Sequence, residues 1–238
     1  MHLRTRTKLL LGSAAAAAVV VPLLVVAPTT AGAATCAAAP TSLHVSIVTP
    51  ARVIYPQKAS ITGKATQDDG SPACGAAVSI MAASGGGAGK VQYSSTVGET
   101  GAFAVTLWLG RTTTYTANAS YSAGGLTATP DVHTVIMYPQ VGITKITPTT
   151  VKAGSTLYVI GYVQPDSLGV LPQLQVFDKT ASWHKVATAY YISPTGVWSL
   201  RWVVPTTRHV GIASIRAVLP ETPSNGPGTS SARTITVV

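Results

Sequence analysis

The sequence predicts an all-β chain: two tandem β-sandwich modules behind an export signal. Three observations carry that expectation. Short runs of alternating apolar and polar residues, rich in Val, Thr and Tyr, recur between Gly, Pro, Ser and Asp turns, the pattern of half-buried strands and not of helices. The pattern occurs twice, at an interval of roughly 98 residues. The amino terminus has the three-part grammar of a secretory signal.

That grammar begins with Arg4, Arg6 and Lys8, continues through an apolar run from Leu9 to Ala27, and closes on small residues Ala31 and Ala33. A retained anchor is the competing reading. The run is of minimal spanning length, is broken by Pro22 and leads straight into an A-x-A site, so cleavage after residue 33 is expected. Thirteen cations and seven acids then remain, a net charge of about +6 concentrated in the second half, which favours anionic neighbours. Cys36 and Cys74 are the two cysteines. Export takes them to an oxidising compartment, where they are expected to pair. Lipidation at Cys36 is disfavoured because Ala33-Ala34-Thr35 is not a lipobox.

The elements follow in order. The first copy reads as strands near 43–48, 57–65, 76–82, 90–97, 102–109, 113–121 and 131–137. The run from Thr112 to Tyr121 is the clearest, with Tyr115, Ala117, Ala119 and Tyr121 on one face and Thr and Asn side chains on the other. The second copy, from 141 to 237, aligns through Ile146-Thr147-Pro148 on Val48-Thr49-Pro50. Gly161 aligns on Gly63, and Gly196-Val197-Trp198 on Gly101-Ala102-Phe103. Seven strands in about 100 residues is the size of an immunoglobulin-like sandwich. The expected boundaries are 1–33 for the signal, 34–138 for the first module and 139–238 for the second, joined at Tyr138-Pro139-Gln140.

The turn residues carry a resemblance. Gly63, Asp68-Asp69-Gly70-Ser71-Pro72, Gly75-Ala76-Ala77-Val78 and Thr100-Gly101-Ala102-Phe103, with Trp183, Thr195-Gly196-Val197-Trp198 and Arg216-Ala217 in the second copy, resemble bacterial immunoglobulin-like domains. Such domains occur in secreted and surface proteins of high-GC Gram-positive bacteria. The second copy lacks the D-G-x-P turn. What the resemblance implies is a fold; it names no ligand.

Chemistry-bearing motifs are sparse. Asp68 and Asp69 are adjacent beside Gly70 and read as a turn. His44, His133, His184 and His209 lack metal-ligand spacing, and no serine stands in G-x-S-x-G. The run from Gly85 to Lys90 has Val91 where a phosphate loop needs Ser or Thr. Leu219-Pro220-Glu221-Thr222-Pro223 approaches a sortase signal but has Pro223 in place of glycine, and is expected to be the loop before the last strand. No catalytic residue, cofactor or metal site is therefore expected, and the chain is read as a non-enzyme. A small-ligand carrier is the alternative function, with a hydrolase behind it.

The leading function is extracellular interaction through the second module. Alternation places Tyr158, Ile160 and Tyr162 outward on the second strand of that copy, with Tyr191, Arg201 and Val203 on neighbouring strands. The first copy has Lys58, Ser60, Thr62 and Lys64 instead. An exposed patch of tyrosines, aliphatics and one arginine is the composition of a binding face. Its expected partner is an extracellular protein or an anionic cell-surface polymer, or a second copy of the chain. Nucleic acid is not expected, nor a membrane span once the signal is removed. Intact-mass measurement of exported protein checks the amino terminus: the expected start is at or beside Ala34, and a mass retaining the first 33 residues refutes cleavage.

Overall fold

A computed structural model describes residue 36 and residues 38–166, 169–177 and 181–238. The expected signal segment, 1–33, lies outside the described residues. Nineteen strands are assigned among the described residues, and no helix there is long and apolar enough to cross a membrane.

The first copy contains β1 (His44–Val48), β2 (Arg52–Ile54), β3 (Lys58–Thr66), β4 (Ala77–Ser84) and β5 (Lys90–Thr96). It continues with β6 (Ala102–Trp108), β7 (Thr113–Tyr121), β8 (Leu126–Thr127) and β9 (Asp131–Tyr138). They make two sheets, β1-β3-β6 and β2-β9-β7-β4-β5, with β8 beside β7. The second copy runs β10 (Gln140–Thr147), β11 (Thr150–Val151), β12 (Thr156–Gln164), β13 (Gln173–Phe177) and β14 (Trp183–Thr188). β15 (Tyr191–Ile192), β16 (Val197–Val203), β17 (Gly211–Leu219), β18 (Gly228–Thr229) and β19 (Arg233–Val237) complete it. Its sheets are β10-β12-β16-β15 and β11-β19-β17-β13-β14, with β18 beside β17. Among the described residues no strand of one copy pairs with a strand of the other, so the architecture is two immunoglobulin-like sandwiches in tandem.

The seven strands expected in the first copy all form. The short β2 and β11, which pair in parallel with β9 and β19, are additions that a pattern of two or three residues cannot signal. One expected strand divides in the second copy: the segment after β13 makes β14 on one sheet and β15 on the other.

The core follows the alternation. Ile61, Val78, Ile80, Phe103, Tyr115 and Ala117 are buried in the first copy, and Val159, Val176, Trp198, Leu200, Trp202, Ile215 and Ala217 in the second. Val105 and Leu107 share the inward face of β6 with Phe103 but are only half-buried, because β6 is an edge strand. Gly63 opposes Phe103 across β3–β6, and Gly161 opposes Trp198 across β12–β16. A Cβ on Gly63 would lie 2.3 Å from the Phe103 ring, and one on Gly161 2.2 Å from the Trp198 ring. Both glycines are therefore required for the ring to lie flat across the neighbouring strand.

Polar groups are spent on closure. Asp69 accepts from the Ser71 backbone N–H at 2.9 Å and from the Ser71 hydroxyl at 2.6 Å. These bonds hold its carboxyl below the ordinary range and confirm the turn. Asp131, at the start of β9, accepts from the Ile47 N–H of β1 at 2.7 Å, tying the two sheets together. Cys36 and Cys74 are disulfide-bonded, their Cα atoms 5.6 Å apart. Closing a 38-residue separation contributes at most about 4 kcal/mol by limiting the unfolded chain.

Only Pro139 separates β9 from β10. The Gly226 N–H donates to Met137 C=O at 2.8 Å and the Thr112 N–H to Ser224 C=O at 2.9 Å, so the loop containing Thr222 to Gly226 docks on the first sandwich. Fully buried Asn225 shapes that loop, donating from Nδ2 to Gly226 C=O at 2.6 Å and accepting from the Thr222 hydroxyl at 2.5 Å. Of Leu219-Pro220-Glu221-Thr222-Pro223, Leu219 ends β17 and the residues from Pro220 on form the loop that follows it.

Trp198 is 1% exposed, and its indole N–H has no acceptor among the described residues. Changing Trp198 to alanine is expected to cost about 3–5 kcal/mol. Trp198→Phe, the residue type at the equivalent Phe103, is expected to cost roughly half of that or less. Urea unfolding measures both, and a near-neutral alanine variant refutes the inward placement.

Candidate interaction surface

The sheet β10-β12-β16-β15 presents one face to the core and one outward. Leu157, Val159, Trp198, Leu200 and Trp202 point inward, which sends Tyr158, Ile160, Val197, Arg201 and Val203 outward. Cross-strand register brings them together: Tyr158 opposes Arg201, Ile160 opposes Ser199, and Thr156 opposes Val203. On the other flank Thr147 opposes Tyr158 and Lys145 opposes Ile160. A β-bulge between Ile143 and Lys145 re-aims the chain there, as an inserted residue does.

β15 completes the surface. Its Tyr191 opposes Ser199 and its Ile192 opposes Trp198. The reason this strand exists can be read from the two copies. Ala77 opposes Thr96 and Gln173 opposes Thr188, so Val97 and Ala189 are equivalent, as are Gly101 and Gly196. Three residues, Gly98 to Thr100, separate the first pair, whereas Tyr190 to Thr195 separate the second. The longer connection reaches across to β16, where Ser193 N–H donates to Val197 C=O at 2.7 Å.

Tyr158 is 54% exposed, Tyr191 61% and Tyr190 68%. A groove of about 460 Å³ lies among Lys145, Tyr158, Ile160, Tyr190, Ser199 and Arg201. No aspartate or glutamate occurs on the four strands. Of the six residues expected here, Tyr158, Ile160, Tyr191, Arg201 and Val203 are exposed on one face. Tyr162 lies on the same face, opposite Val197, but is not fully exposed. It opposes Gly142, and its ring lies where a Gly142 Cβ would be, 2.2 Å from that position. It is half-buried and covers backbone in place of offering a free ring. Tyr190 and Lys145 were missed. Tyr190 belongs to the insertion, and the bulge changes the parity by which Lys145 is assigned.

The opposite sheet carries a smaller aromatic cluster. The Arg216 guanidinium lies 4.2 Å from the Trp183 ring centre, and Phe177 packs 5.3 Å from Trp183. The Arg216 Nε donates to Gln175 Oε1 at 3.0 Å. These groups satisfy one another. Elsewhere His44 pairs with Asp68. This bond and that from Ser42 hold the Asp68 carboxyl below its ordinary range. Among the described residues no three His, Cys, Asp or Glu side chains converge as a metal site would require.

No known family profile matches the sequence, and no curated protein matches it. Solved structures do. A tetra-tandem repeat from the extending region of a large adhesion protein is 16% identical at a TM-score of 0.44, over 83% of this chain and 50% of that one. The Yersinia pseudotuberculosis adhesin InvE is 16% identical at 0.41, over 82% of this chain and 60% of that one. Escherichia coli alpha-2-macroglobulin is 16% identical at 0.36, over 82% and 22%. This chain thus spans from about a fifth to under two thirds of the structures it is similar to. At these scores the likeness transfers no ligand or partner.

Mild nitration separates the two tyrosine classes. Burial pushes the Tyr115 phenol up to about 12, so it stays protonated and covered while Tyr158, Tyr190 and Tyr191 react. Peptide mapping reads the outcome, and nitration of Tyr115 ahead of Tyr158 contradicts the assigned faces.

Proposed function

We propose that the chain is an extracellular, non-enzymatic interaction protein that holds an anionic cell-surface polymer against the outward face of β10-β12-β16-β15. The observation that supports this reading is the acid-free groove in which exposed Tyr158 and Tyr190 flank Arg201 and Lys145. Tyrosine rings offer flat apolar surfaces with a polar rim, suited to the C–H faces of sugar rings. The two cations meet the polymer's negative groups in bidentate or point-charge fashion. Excess positive charge in the second half of the sequence draws such a polymer in over longer range. The disulfide fits an oxidising, external compartment.

The equivalent face of the first sandwich has Lys58, Ser60, Thr62 and Lys64 on β3 without tyrosine. Binding therefore belongs to the second sandwich alone in this reading. The purified protein is expected to co-sediment with isolated cell-wall polysaccharide and to release as salt rises. Tyr158→Ser combined with Arg201→Ser is expected to weaken retention about tenfold or more while the unfolding curve is kept. Unchanged retention by that folded double variant refutes the site.

A further inference from the structure

The two copies differ at one sheet edge, and the difference exposes a second surface. In the second sandwich, β16 is flanked by β12 and β15. In the first, the equivalent β6 pairs with β3 alone among the described residues. The ladder fixes which backbone groups are left over. Ala65 N–H donates to Gly101 C=O at 2.8 Å, and antiparallel pairs alternate. Phe103, Val105 and Leu107 therefore turn their N–H and C=O groups to β3. Ala104, Thr106 and Trp108 turn theirs to the open side, and Ala102 does so with its N–H on the Thr100 hydroxyl at 3.3 Å.

An open edge of this kind is ordinarily blunted by charge, proline or a bulge. β6 reads Ala-Phe-Ala-Val-Thr-Leu-Trp and has none of these. A groove of about 790 Å³ runs beside it, lined by residues that include Gln92 of β5 and Thr106, Leu107 and Tyr115. Leu107, half-buried, lines this groove.

We infer that β6 pairs antiparallel with β6 of a second copy of the chain, fusing two three-stranded sheets into one of six strands. The strand is complementary to itself about Val105. In that register the free groups of Ala104 face those of Thr106, and the exposed Trp108 ring lies across from Ala102, large against small. Val105 meets Val105 on the inner side, while the Phe103 ring stays turned toward Gly63 of β3. Glu99 stands three residues before β6 and Arg111 three residues after it, both exposed. Antiparallel pairing brings the glutamate of each copy toward the arginine of the other at both ends. Parallel pairing would set like charges together, so the charges choose the orientation. The tyrosine face of the second sandwich takes no part, and this inference stands or falls separately from the proposed function.

Sedimentation velocity of the purified protein over a wide concentration range is the test. A reversible monomer–dimer equilibrium is expected, and a monomer at every concentration overturns the inference. Ala104→Pro removes a donor on the open side and leaves the β3 ladder untouched. It is expected to be monomeric with an unchanged melting curve, and a folded proline variant that still dimerises overturns the β6 edge as the contact. Glu99→Arg and Arg111→Glu are each expected to weaken the dimer about tenfold. The double exchange is expected to restore it, and failure to restore overturns the antiparallel register.

Discussion

One contact recurs in both sandwiches and the remaining packing is arranged around it: an aromatic ring laid over a glycine of the neighbouring strand. Phe103 covers Gly63 and Trp198 covers Gly161. The other side of each glycine is equally closed, since its missing Cβ would fall 2.4 Å from Ser46 C=O or 2.1 Å from Gly142 C=O. The strand in the middle of each small sheet is thus pinned between a neighbour's backbone and a ring, and no other residue type fits. With the ring fixed, the inward residues on either side of it have their parity set. A shift of one residue would turn every one of them to water.

The two copies keep that contact and vary around it. The residues added between Ala189 and Gly196 let the chain leave the larger sheet and add β15 to the smaller one. That change covers the edge of β16 and delivers Tyr190 and Tyr191 to a face that already holds Tyr158 and Arg201. The shorter connection after Val97 returns at once into β6, whose outer edge has no paired strand among the described residues. A single difference in loop length therefore separates a capped sheet with an aromatic face from an uncapped sheet with an open edge. Local backbone reach, not side-chain chemistry, is the cause.

Two aspartates and one asparagine hold the structure together. Asp69 makes a turn, Asp131 ties β1 to β9, and Asn225 shapes the loop that docks on the first sandwich.

Strand positions, the inward and outward sets, the repeat and the cysteine pair were all legible in the sequence. Side-chain alternation has a period of two, and turn residues announce themselves locally. Five of the six residues expected on the candidate face are exposed there. What the sequence left open depends on hydrogen bonds between distant segments. The switch of β15 between sheets, the parallel β2 and β11 strands, and the docking of Asn225 have no local pattern. Nor does the folding of Tyr162 over Gly142, which a one-strand reading places in solvent. Alternation states which face a residue occupies; only the tertiary structure decides which strand lies beside it, because that choice is made by backbone groups that every residue shares.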